Sequence, residues 1–171
     1  KSSYYKFSLT SSLITFGLSI YLLMQFDPDI AGFQFKQSWK FISHHDIKYF
    51  VGIDGISLIM IMLTTFLTPI CLILSKKSIN QRFKEFAICF LLIESFVIGA
   101  FCSLDLLFFY IFFEAALIPM FIVIGVWGGA QRVYASYKFF LYTIIGSLFF
   151  LIAIIYIFLY TFIIHLCTIP F

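Results

Sequence analysis

Charge is scarce in this chain. Asp, Glu, Lys and Arg together make up 11% of its 171 residues, against roughly 25% in an average soluble domain. With 63% hydrophobic residues, that scarcity excludes an ordinary water-soluble globule. Signatures of nucleotide and redox chemistry are missing too. The sequence contains no glycine-rich phosphate loop, no haem-attachment pair and no CxxC, so it carries no visible redox centre and no metal-ligand cluster. Its four cysteines, Cys71, Cys89, Cys102 and Cys167, are scattered and read as small apolar side chains. The net charge of +3 comes without a basic motif, which argues against a nucleic-acid partner.

What is present is a series of long apolar tracts separated by charges. Five can be drawn: Phe7–Phe26, Gly55–Ser75, Phe86–Leu104, Leu106–Trp127, and a charge-free stretch from Phe139 whose helix is expected to end near Tyr160. About 20 apolar residues span a bilayer. The chain therefore reads as an all-α, polytopic integral membrane protein with five transmembrane helices, forming a single transmembrane domain over residues 1–171. The first tract is long enough to span and does not follow the pattern of a secretory leader.

The connections alternate in charge. Lys1, Lys6, Lys76, Lys77, Arg82, Lys84, Arg132 and Lys138 fall on one side of a five-span chain, while Lys36, Lys40 and Lys48 fall on the other. The positive-inside rule puts the first group on the matrix or cytoplasmic face. The outer segment 27–54 mixes aromatic and polar residues, and Phe33-Gln34-Phe35-Lys36 alternates like a short strand. It is expected to be an interfacial loop, with room for a hairpin, in which His44 and His45 are exposed or interfacial. The turn Ser103-Leu104-Asp105 is so short that the helices on either side must be antiparallel neighbours.

Two acids interrupt the apolar tracts. Glu114 lies eight residues after Leu106, about 12 Å into its helix at the usual rise. A charge that deep costs roughly 2.5–3.5 kcal/mol on insertion scales. A carboxyl held there is a candidate for taking up and releasing protons; the bland alternative is a neutral acid bonded to a neighbouring helix. Pro119 sharpens the first reading. It has no N–H, so the carbonyl of Ala115, adjoining Glu114, loses its helical donor. Glu94 lies at similar depth on the preceding helix, with the same two readings. Whether the two acids face each other is open at this level. Lys138, at the inner start of the fifth helix, is either a snorkelling interfacial cation or a proton entry point. Asp54 is accounted for as a complement to the dipole of the second helix.

Three stretches, Gly52–Ile73, Leu104–Gly128 and Lys138–Tyr156, resemble chain 4 of the NADH:ubiquinone oxidoreductases, the respiratory complex I family, with wording closest to mitochondrial versions. The likeness runs from about Asp27 onward. It implies an antiporter-like helix bundle in the mitochondrial inner membrane, of which these tracts would be the second to sixth helices. It also implies that Glu114 is the family's glutamate on the fifth helix, whose partner is a lysine on the seventh. The partners implied are the other membrane-arm subunits, the remainder of the same subunit, and lipid. NADH, FMN, iron–sulfur clusters and ubiquinone would be handled elsewhere in the complex, with no cofactor bound by this chain. Two further readings stay open: a subunit of a multi-subunit cation/proton antiporter, and a structural segment needed only for assembly.

Overall fold

A computed structural model describes residues 2–30, 32–42, 47–79 and 82–167. Its elements, in chain order, are α1 (Ser2–Gln25), β1 (Gln34–Ile42), β2 (Ile47–Ile53), α2 (Gly55–Ser78), α3 (Phe83–Cys102), α4 (Leu106–Trp127) and α5 (Arg132–Cys167). Among the described residues five helices, over Tyr4–Gln25, Gly55–Ser78, Phe83–Cys102, Leu106–Trp127 and Arg132–Thr161, are long and apolar enough to cross a membrane. The protein is thus a polytopic all-α membrane protein. Large side chains such as Phe7, Met24, Leu74, Phe149 and Phe158 stand exposed on these helices. On a water-soluble protein they would be a liability; on a membrane helix they meet lipid or neighbouring helices.

Helix ends follow local chemistry. Asp54 caps α2 by accepting from the Ser57 N–H at 2.7 Å, and Asp105 caps α4 by accepting from the Leu107 N–H at 2.9 Å. Lys76 and Lys77 occupy the last turn of α2, where cations complement the helix dipole. The Ser57 hydroxyl, and then its N–H, hold the Asp54 carboxyl below the ordinary value of 3.8. A carboxylate with a depressed pKa stabilises the fold above its unfolded pKa and loses that contribution as pH falls through the folded value. Acidification below about pH 4 is therefore expected to weaken the start of α2. Asp54→Asn should keep the cap, whereas Asp54→Ala should cost about 1 kcal/mol. Thermal melts of the purified protein across acid pH check this: wild type should lose stability on acidification more than Asp54→Asn does.

The fifth helix differs from the tract expected for it. It begins at Arg132 and continues through Cys167, so Lys138 lies within it rather than before it. Charge marks the end of an apolar run, but it does not stop backbone hydrogen bonding. The real break is at Gly128, whose N–H closes α4 on the Ile124 carbonyl at 3.0 Å. Arg132 then reaches back to the Val126 carbonyl at 2.9 Å.

Helices α1, α2 and α3 pack against one another, α4 packs on α3, and α5 packs on α4. The three-helix group has an apolar cluster at each end. Toward the basic side lie Leu72, Phe83, Phe86 and Ala87, backed by Tyr5, Phe90 and Trp127. Phe86 meets Trp127 edge-on at 5.4 Å, and the Lys76 ammonium sits 4.3 Å from the Tyr5 ring centre. Toward the other side lie Ile53, Leu58 and Ile61, backed by Leu22, Phe26, Ile98 and Phe101. Between the two clusters the buried residues turn polar: Ser12, Ser19, Thr65 and Glu94 are each at most 5% exposed.

Between α1 and α2, β1 and β2 pair as an antiparallel hairpin, with Ser38 opposite Phe50 and Gln37 opposite Val51. It seats on the turn between α3 and α4, where the Leu104 N–H donates to the Phe50 carbonyl at 3.1 Å and Val51 bridges Ser103. Gly52 permits this approach, since a Cβ there would stand 2.7 Å from Leu104 Cδ1. His44 and His45 lie outside the described residues.

Candidate functional site

Glu114 stands nine residues beyond the Asp105 cap of α4, about 13 Å along the helix. Its Oε2 is buried and has no hydrogen-bond partner among the described residues. Such an atom is the exception in folded proteins, and it costs about 1–3 kcal/mol when nothing satisfies it. Close by on the same helix, Leu117 and Pro119 are buried. Pro119 supplies no donor to the Ala115 carbonyl, so a second acceptor near the carboxyl lacks its usual helical bond. On the next turn Phe121 packs against Tyr137 at 5.6 Å and Phe140 at 5.0 Å, fastening α4 to α5.

Glu94 is more deeply buried, at 3% exposure. Its Oε1 accepts from the Thr15 hydroxyl of α1 at 2.7 Å. The carboxyl therefore engages the α1 side of α3, while Glu114 sits on α4. Among the described residues the two acids share no hydrogen bond. One turn further along α1, the Ser19 and Thr65 hydroxyls meet at 2.9 Å. These hydroxyls were not picked out as site residues from the sequence. The signal available was the spacing of Ser8, Ser12, Thr15 and Ser19, which lines one helical face.

Lys138 is exposed on α5, with its ammonium 5.9 Å from the Tyr134 ring centre and 6.0 Å from that of Tyr142. At that range each ring gives at most a weak cation–π attraction, and no ion pair joins Lys138 to Glu114 among the described residues. The three candidates thus occupy separate settings: an acid with an unpartnered oxygen, an acid held by a hydroxyl, and a cation between two tyrosines. No group of three or more His, Cys, Asp or Glu able to hold a metal occurs among the described residues.

Comparison with known proteins gives these residues a context. The family described as NADH-ubiquinone oxidoreductase chain 4, amino terminus, matches residues 3–102. A second, NADH:quinone oxidoreductase/Mrp antiporter, TM, matches residues 103–169. NADH-ubiquinone oxidoreductase chain 4 of Marchantia polymorpha is 52% identical over 155 residues, covering 90% of this chain and 31% of the relative. The same-named protein of Arabidopsis thaliana is 52% identical over 148 residues, covering 86% of this chain and 30% of the relative. NADH-quinone oxidoreductase subunit M of Rickettsia conorii is 50% identical over 151 residues, covering 88% of this chain and 31% of the relative. The chain therefore spans just under a third of the length of these relatives. With the first family matching more than half of its residues, the chain belongs to the NADH-ubiquinone oxidoreductase chain 4 family.

Proposed function

We infer that this chain is a membrane-arm portion of proton-translocating NADH:ubiquinone oxidoreductase and that it contributes Glu114 as a proton-transfer group. The observation that carries this reading is the buried Glu114 Oε2, which has no hydrogen-bond partner among the described residues and lies beside a proline-interrupted turn at mid-helix depth. A carboxyl so placed has something to gain from a proton, a water or a cation, and by taking up and releasing a proton it can pass one on. The cationic partner is a lysine outside these residues, on the helix that would follow in the family's order. Glu94 and Lys138 are lesser candidates for proton transfer, each in its own setting.

In this reading residues 1–171 act as one transmembrane unit of the mitochondrial inner membrane, with the lysine-rich ends of the helices facing the matrix. Other membrane-arm subunits, the remainder of the subunit and lipid surround it. Electron transfer from NADH through FMN and iron–sulfur clusters to ubiquinone takes place in other subunits. The family over residues 103–169 also takes in Mrp antiporters, which favours a cation/proton antiporter subunit as the second reading. Native gel separation of solubilised membranes distinguishes the two. The chain is expected in a large assembly that reduces a dye with NADH; recovery only in an assembly inactive toward NADH contradicts the proposal.

A further inference from the structure

Thr15 has one proton and two acceptors. Its hydroxyl oxygen lies 2.7 Å from Glu94 Oε1 and 2.9 Å from the Ser12 carbonyl oxygen one turn earlier on α1. A hydroxyl donates once but can accept as well. When Glu94 is ionised, the Thr15 O–H points to Oε1 and satisfies the charge. When Glu94 is protonated, the acid O–H donates to Thr15 Oγ1, and the Thr15 proton turns to the Ser12 carbonyl. Both protonation states of a carboxyl that is 3% exposed are then hydrogen-bonded without movement of a heavy atom. Among the described residues Thr15 is the hydrogen-bond partner of that carboxyl, and no ion pair reaches it.

We propose that Thr15 is a positioning residue that lets Glu94 exchange a proton, through a hydroxyl whose hydrogen bond switches between Glu94 and the Ser12 carbonyl. Glu94 is thereby served from α1, independently of Glu114 on α4. The surroundings fit such a role. Glu94 occupies the polar layer between two apolar clusters, with Ser12 fully buried and the Ser19–Thr65 pair a turn away. A carboxyl with only a structural task needs one fixed bond, whereas this one has a partner able to serve either state. The inference rests on the proton-transfer reading of the subunit.

The test uses the assembled complex carrying Thr15→Val, which keeps the shape and removes the hydroxyl, and Thr15→Ser, which keeps the hydroxyl. The Glu94 carboxyl band is identified in infrared difference spectra as the one lost in Glu94→Gln. In Thr15→Val this band is expected to move to the frequency of a less hydrogen-bonded acid, and NADH-driven proton transport should fall several-fold. Thr15→Ser should restore both. If valine blocks assembly, Thr15→Ala provides the same comparison. An unmoved band with undiminished transport in the valine or alanine variant overturns the proposal, as does a serine variant that behaves like valine. The wider proton-transfer reading fails separately, through a Glu114→Gln complex that transports normally.

Discussion

Glu114→Gln is expected to slow NADH-driven proton transport severely, by on the order of a hundredfold in the step that uses this group. Glutamine has nearly the shape of glutamate and can still donate and accept hydrogen bonds, but it carries no exchangeable acid proton. The half-buried setting on α4 should therefore persist. Because Oε2 has no hydrogen-bond partner among the described residues, the substitution breaks no bond of that atom that holds the fold together. Glu114→Asp should retain part of the transport, limited by a carboxyl set back by one methylene. Proton uptake by reconstituted vesicles, compared with the amount of assembled complex, separates loss of transfer from loss of protein.

Gly128→Ala is expected to have the largest effect on stability. Gly128 ends α4 with its N–H on the Ile124 carbonyl, and a Cβ there would collide with that same carbonyl oxygen and stand 2.9 Å from Arg132 Cβ. Neither obstacle is a flexible side-chain tip. The last turn of α4 would have to open, disturbing the Arg132 bond to the Val126 carbonyl that ties α5 to α4. Overpacking of this kind costs about 1–3 kcal/mol when side chains can give way, and a backbone obstacle puts the cost at the upper end or beyond. Gly129→Ala is the control, because a Cβ there meets nothing within 4 Å. Thermal unfolding in detergent should show a large drop for the first variant and almost none for the second.

The number of membrane helices was legible because charge is so costly in lipid that it punctuates the spans. Asp105 separates two apolar tracts and caps the second, so one residue marks the boundary and also makes it. Lys138 misleads for the converse reason. A long lysine side chain can stay at the interface while its backbone is already helical, so the last charge before the apolar tract does not mark the start of α5, which lies at Arg132. Residue type and depth singled out Glu114 and Glu94 as candidates. What faces each of them depends on helix rotation, and small residues decide much of that. Gly99 admits the Phe112 ring between α3 and α4, where a Cβ would lie 2.9 Å from it. Ser19 meets Thr65 between α1 and α2. A pairing of residues 79 positions apart, such as Thr15 with Glu94, needs the packed helices.

The role proposed for Glu114 is to pass protons during turnover. Its most direct test is the number of protons moved per electron delivered to quinone, measured in vesicles containing the Glu114→Gln complex beside wild type. A lowered ratio at normal assembly is predicted. An assembled Glu114→Gln complex that moves protons at the wild-type ratio would contradict the account and leave Glu114 a structural acid.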